Sequence, residues 1–85
     1  MSLVLHIREK VKQNVSRFPK ADQERIAEVF KGLGKDPYAG DIVKLEGGEN
    51  LWRRRTGNYR IKYQIRVGEK LVFIYDVERR TSNTY

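Results

Sequence analysis

The chain has 85 residues, of which 18 are Lys or Arg and 11 are Asp or Glu, giving a formal net charge of +7. A chain this short builds one modest core, so we expect a single domain over residues 1–85. The absence of cysteine excludes disulfide scaffolds, Cys-based zinc sites and thiol nucleophiles, and it suits a reducing cytoplasm. The longest apolar run, Leu71 to Tyr75, is too short for a membrane helix.

The first half of the chain predicts a short strand followed by two helices. Leu3, Val4, Leu5 and Ile7 form a short apolar segment, after which apolar residues recur at helical spacing over residues 7–18 until Pro19 interrupts the pattern. A second helix is indicated by an apolar stripe from Ile26 to Leu33, with its end expected at Gly32 or Gly34. Residues 42–45 predict another short strand.

From residue 51 onward the hydrophobic period changes to two. Apolar and basic residues alternate over residues 59–67, which is typical of a strand with one apolar and one basic face. Gly57-Asn58 and Gly68-Glu69 fit two-residue hairpin loops, so we expect an antiparallel meander over 51–56, 59–67 and 70–78. The whole pattern is β-α-α-β-β-β-β, an α+β fold whose helices cover one face of the sheet.

The charge is concentrated in this meander. Residues 51–85 hold nine Lys or Arg and three Asp or Glu, a net charge of +6. A two-residue loop at Gly57-Asn58 places Arg53 opposite Lys62 and Arg55 opposite Arg60. Like charges directly opposite each other destabilise a sheet, so this arrangement favours an anion as the natural ligand. A three-residue loop would instead point Arg53 and Arg55 at the core, which is costly for two charges.

The same register assigns the other side chains to faces. Trp52 falls on the apolar face as a core residue, and Arg54 beside it must extend to solvent or find a partner. In the last strand, Leu71, Phe73, Tyr75 and Val77 are expected on the basic face, with Val72, Ile74 and Asp76 on the other. Rings among cations suit the binding of single-stranded nucleic acid, although Phe73 and Tyr75 could equally be core residues.

Several of these segments together resemble the RelE/ParE toxin superfamily. The similarity is carried by Lys44-Leu45-Glu46-Gly47, Leu51 to Arg55, Gly57 to Tyr63, Val77 to Arg80 and Tyr85. It covers residues 44–85, and the helical hairpin before them fits the same RelE-like fold. Members of the superfamily either cut messenger RNA on the ribosome or poison DNA gyrase.

The resemblance implies roles for individual residues. Arg60 matches the phosphate-stabilising arginine, Arg53 and Arg55 the catalytic basic pair, Arg80 the arginine near the leaving group, and Tyr85 the tyrosine that orients or stacks on a base. The implied reaction is attack of a ribose 2′-OH on the adjacent phosphate without a metal, and we expect neither a metal site nor a cofactor. The residues expected to hold RNA are Lys44, Arg54, Lys62, Tyr75 and Arg79.

Proton removal from the 2′-OH needs a separate group, because a guanidinium is a poor general base at neutral pH. Lys44, Lys62 or a group of the ribosome are the candidates. The function implied is therefore a ribosome-dependent messenger RNA endoribonuclease, with a gyrase poison or a non-catalytic binding module as alternatives. Either toxin reading implies a cognate antitoxin with an acidic or amphipathic segment as partner.

Overall fold

The computed structural model of the protein describes residues 3–80. In chain order its elements are β1 (Val4–Ile7), α1 (Glu9–Val15), α2 (Lys20–Lys35), β2 (Ile42–Lys44), β3 (Leu51–Thr56), β4 (Tyr59–Arg66) and β5 (Leu71–Arg79). The five strands form one sheet in the order β1-β5-β4-β3-β2. Only the β1–β5 pair is parallel; the other three pairs are antiparallel. The predicted α+β order is confirmed.

Both helices pack on one face of this sheet. The buried core joins residues of α1 and α2 to alternate residues of β4 and β5: Val11, Ile26, Phe30, Leu33, Tyr59, Ile61, Tyr63, Ile65, Val72, Ile74 and Val77. The strict alternation of buried and partly exposed positions along β4 reflects a strand with one covered face. The opposite face, which we call the open face, carries no helix among residues 3–80.

The second helix ends within one residue of the predicted position. It continues through Gly32 and Gly34 and ends at Lys35, with Asp36 as its C-cap. Gly34 is buried, and a Cβ atom there would lie 3.3 Å from the Leu5 Cγ atom of β1. Its carbonyl also accepts a 2.8 Å hydrogen bond from the Leu3 amide. Gly34 therefore lies in the last turn of α2, as predicted, and it permits close packing of that helix on β1.

Of the two predicted hairpin loops, one is confirmed and the other is different. Gly57 has a φ of 58° and Thr56 lies opposite Tyr59, so Gly57-Asn58 is a two-residue loop. At the second hairpin, four residues connect the strands instead of two. A 3₁₀ turn occupies Val67–Glu69, and Lys70 is left-handed with a φ of 53°.

A β-bulge in β5 overturns part of the predicted face assignment. The β4–β5 register shifts between Lys62 and Tyr63, which lie opposite Asp76 and Ile74, so Tyr75 has no partner. As a result Val77 is buried in the core and Asp76 shares the open face with Lys62, the reverse of the expectation for both. The bulge begins where the β1–β5 ladder ends, at Ile74. It lets Val77 enter the core without burying Asp76 beside it.

Leu71 and Phe73, before the bulge, lie on the open face as predicted. Phe73 faces Gln64 across the ladder and is half-buried, outside the core. Its ring lies 5.3 Å from His6 and 5.1 Å from the Arg66 guanidinium. No helix within residues 3–80 is long and apolar enough to cross a membrane.

Candidate phosphate-binding site

Four cations from two neighbouring strands share one patch of the open face. Strand β3 supplies Arg53 and Arg55, and β4 supplies Arg60 and Lys62. Arg53 lies directly opposite Lys62, and Arg55 directly opposite Arg60, which confirms the predicted register. We call these four residues the cation cluster. Two successive cross-strand pairs on the open face therefore each join two positive charges, an arrangement that destabilises the sheet unless anions compensate it.

Two members of the cation cluster have carboxylate partners. Arg55 donates from Nε to Asp41 Oδ2 over 2.9 Å, and its amide donates to the Asp41 carbonyl over 3.0 Å. The Lys62 ammonium lies 3.4 Å from Glu78 Oε1. These side chains are substantially exposed, Lys62 the least at 29%, so each ion pair contributes only modestly to stability.

The other two members are left with unused donors. Neither Arg53 nor Arg60 forms an ion pair with a carboxylate of residues 3–80. The Nε atom of each is buried and has no hydrogen-bond partner within that same part of the chain. A buried donor without a partner costs roughly 1–3 kcal/mol. Both arginines belong to the open face, and a guanidinium fork matches the oxygens of a phosphate.

Arg80 joins the cation cluster at its edge. Its amide donates a 2.6 Å hydrogen bond to the carbonyl of Asn58 in the hairpin loop. Arg55, Arg60 and Arg80 then line one cavity of about 270 Å³ beside that loop. Arg60 and Arg80 also line a larger groove of about 610 Å³ that continues past Asp76 and Glu78. The structure thus places Arg80 beside Arg60, as the resemblance implied.

The residue before Arg60 fixes the position of the strand. Tyr59 is buried on the helix-covered face, and its hydroxyl donates a 2.6 Å hydrogen bond to Asp22 in the first turn of α2. Burial raises the pKa of Tyr59, and the bond to Asp22 raises it further. Its ring also packs against Phe18, with centroids 4.7 Å apart. Because side chains alternate along a strand, anchoring Tyr59 on one face orients Arg60 on the other.

Three of the expected RNA-binding residues lie on the helix-covered face instead. Lys44 shares that face with Trp52, its partner across the β2–β3 ladder, and it is exposed at the sheet edge. Arg54 lies opposite Ile61 and donates from Nη1 to the Ala39 carbonyl over 3.4 Å. Arg79 lies opposite Tyr59, with its guanidinium 6.0 Å from that ring. Of these three, only Arg79 lines the larger groove.

The aromatic candidates are separate from the cation cluster. Tyr75 is half-buried at the bulge, and its ring centroid lies 6.3 Å from that of Phe73. Tyr85 lies outside the described residues. Trp52 packs at the margin of the core and meets Tyr38 edge to face at 5.7 Å, which agrees with its predicted core position.

Comparison with known proteins identifies the family. The model of the ParE toxin family, described as the toxin of the type II toxin-antitoxin system parDE, matches residues 4–84. The chain belongs to the RelE/ParE toxin superfamily. The RelE1 protein of Methanocaldococcus jannaschii is 23% identical over 83 residues, covering 94% of this chain and 92% of that protein.

Solved RelE structures share the fold of this toxin. RelE in the RelE-RelB complex of Pyrococcus horikoshii superposes with a TM-score of 0.84 at 28% identity, covering 98% of this chain and 100% of that one. Isolated RelE of Escherichia coli gives a TM-score of 0.82 at 17% identity, covering 96% and 88%. The predicted RelE-like fold is therefore confirmed.

Carboxylates at the toxin's cation cluster were missed from the sequence. Asp41 lies outside the predicted strands, but it directly precedes β2 and so reaches Arg55 across the ladder. Asp76 and Glu78 reach the open face only because of the bulge, where they lie opposite Lys62 and Arg60. The sequence held one signal of the bulge. If side chains continued to alternate after Val72 and Ile74, Asp76 would be buried in the core, and because burying a charge is costly, a break in the alternation is favoured.

Proposed function

We propose that this toxin is a messenger RNA endoribonuclease that acts on the ribosome, with the cation cluster and Arg80 as its phosphate site. The observation that carries the proposal is that Arg53 and Arg60 each lie opposite another cation across the β3–β4 ladder, while the Nε atom of each has no hydrogen-bond partner among residues 3–80. A phosphodiester supplies an anionic partner for these two arginines, which form no ion pair with a carboxylate of residues 3–80. The superfamily membership supports a toxin, and the geometry favours phosphoryl chemistry over a general basic surface.

The reaction proposed is attack of a ribose 2′-OH on the adjacent phosphorus. This forms a 2′,3′-cyclic phosphate, and the 5′-oxygen of the next nucleotide leaves. Negative charge develops on the phosphoryl oxygens in the transition state, where donors fixed by the sheet stabilise it without reorganising. Arg60 and Arg53 bind the phosphoryl oxygens in this proposal, and Arg80 lies towards the leaving group. Tyr85 remains a proposed base-stacking residue.

The test is a comparison of variants on one strand. We expect Arg60→Ala to lower messenger RNA cleavage about 10²–10³-fold, the usual loss on removing one transition-state donor. Arg66→Ala is the matched control, because Arg66 lies on the same strand and face but outside the cation cluster. Primer extension on translated transcripts and growth arrest of expressing cells are the readouts, with circular dichroism to check folding. Full toxicity of both Arg60→Ala and Arg80→Ala would refute the nuclease assignment.

A gyrase poison is the second candidate, because the matching family model is that of the ParE toxin. It predicts intact transcripts and gyrase-dependent DNA breaks after induction. The cation cluster would then serve only to attract or repel partners, and Arg53 and Arg60 would need no phosphate.

We also propose a cognate antitoxin as partner. Support comes from the solved complex of the P. horikoshii relative with its RelB protein. The charge of the open face favours an acidic segment in that antitoxin, because it would neutralise the unpaired cations. A gene for a small acidic protein beside this one, and co-purification of the two products, would be the expected result.

A further inference from the structure

Strand β5 brings a carboxylate to the cation cluster. Glu78 lies directly opposite Arg60 across the β4–β5 ladder, and its Oε1 atom is 3.4 Å from the Lys62 ammonium. It lines the 610 Å³ groove together with Arg60 and Arg80. Its side chain is 48% exposed, so solvent and a polynucleotide can reach it.

The proposed cleavage lacks a proton acceptor if cations alone form the site. Guanidinium groups stay protonated at neutral pH, and a lysine ammonium must first lose its proton before it can accept another. A carboxylate is ionised at neutral pH and needs no such step. Three carboxylates of the described residues lie at the cluster, namely Asp41, Asp76 and Glu78.

We propose that Glu78 is the general base of the cleavage reaction; this rests on the proposed nuclease function. Asp41 forms the closer ion pair, at 2.9 Å with Arg55 against 3.4 Å between Glu78 and Lys62, so its carboxylate is the more strongly engaged of the two. Asp76 lies opposite Lys62, one rung farther from Arg60 and Arg80. Glu78 is the carboxylate on the rung of Arg60, where the phosphate is expected, and it has the longer side chain.

The step is balanced in atoms and electrons. Glu78 takes the proton of the 2′-OH as the bond from the 2′-oxygen to phosphorus forms. The bond from phosphorus to the 5′-oxygen breaks with its electron pair, and that oxygen takes a proton from water. Glu78 returns its proton to the solvent. Lys62 holds the carboxylate in place through the ion pair, and so acts as a positioning residue for Glu78.

The experiment separates a base from a mere counter-charge, because the two roles predict effects of opposite sign. Removing a negative charge beside a phosphate site strengthens RNA binding, so a counter-charge role predicts unchanged or faster cleavage in Glu78→Gln. A base role predicts that single-turnover cleavage on programmed ribosomes falls about 10²–10⁴-fold in the same variant. Binding of an uncleavable transcript, with a 2′-deoxy sugar at the cleaved position, should be at least as tight as for the parent toxin.

Asp76→Asn is the matched control, since it removes the same charge from the same face one rung away. We expect its cleavage rate to stay within a few-fold of the parent. Glu78→Asp keeps a carboxylate but retracts it by one methylene, and we expect an intermediate rate from it. Parent-like cleavage by Glu78→Gln, or a large loss in Asp76→Asn alone, would overturn the assignment of the base. Absence of cleavage by the parent toxin would instead overturn the nuclease function itself.

Discussion

The two faces of strand β4 differ in how their polar groups are paired. On the helix-covered face, alternate residues of β4 are almost fully buried, and the two tyrosine hydroxyls among them each donate a 2.6 Å hydrogen bond, to Asp22 and to the Pro37 carbonyl. On the open face, the residues between them are three cations and a glutamine, and buried guanidinium donors have no partner among residues 3–80. One strand thus carries a satisfied core side and an unsatisfied charged side.

This contrast shows what each face contributes. Burial of apolar side chains with paired polar groups stabilises the fold, whereas adjacent cations in two successive cross-strand pairs lower stability. A surface that destabilises the free protein becomes favourable once an anion binds, because the repulsion and the unused donors are both removed. The helix-covered face therefore supports the sheet, and the open face has the properties of a binding site.

The largest expected effect is on the helix-covered face. Ile61 is fully buried, and Ile61→Ala should lower the free energy of unfolding by about 2–5 kcal/mol through lost burial and a residual cavity. Lys62→Ala, at the next residue but on the open face, is the control and should change stability by about 1 kcal/mol or less. Urea denaturation measures both. Similar losses in the two variants would show that the faces do not differ in this way.

Local pattern was enough to predict the β3–β4 hairpin. Its register depends on Gly57-Asn58 and on the alternation from Tyr59 to Val67, all within a few residues of each other. The facing of Arg53, Arg55, Arg60 and Lys62 followed from that register and was confirmed. The position of Arg54 on the opposite face followed as well.

The positions of the carboxylates at the candidate site could not be predicted from local pattern. The bulge at Tyr75 depends on where β1 ends and on the need of the core for Val77, both of which are set by residues distant in sequence. Without the bulge, Glu78 would have been assigned to the helix-covered face. The pairing of Asp41 with Arg55 depends likewise on the β2–β3 register, and the six-residue turn between those strands is too long for its glycines to specify that register.

A smaller effect on the helix-covered face should appear in the pH dependence of the free energy of unfolding. Burial raises the pKa of Tyr63 to about 12, although the nearby Arg54 cation opposes part of that rise. The folded state therefore holds this proton more tightly than the unfolded chain, whose tyrosine pKa is about 10. The resulting stability is fully present below pH 10 and is lost as pH rises from 10 to about 12. With each pKa unit equal to about 1.4 kcal/mol, a rise of two units corresponds to a loss of the order of 3 kcal/mol.

Tyr63→Phe isolates this contribution from the other groups that titrate at alkaline pH. It removes the hydrogen bond to Pro37 and should cost about 1 kcal/mol at pH 7. The gap between the two proteins should then close, and reverse, as pH rises towards 12. Urea denaturation at intervals between pH 7 and 12 gives the comparison, and a constant gap across that range would contradict it.

The smallest effect has the opposite sign and tests the open face directly. Arg53→Gln removes one cation from a rung shared with Lys62, so it should raise the free energy of unfolding by about 0.2–1 kcal/mol at low ionic strength. Salt screens exposed charges, so the gain should shrink in 1 M salt. In a Lys62→Gln background the gain should also fall, because the repulsion is already removed.

Arg53→Gln alone should bind RNA less tightly than the parent toxin, so that the gain in stability accompanies a loss in binding. If Arg53→Gln instead destabilises the free protein at every salt concentration, then the arginine stem contributes packing that outweighs the repulsion, and the open face is less strained than its charges imply.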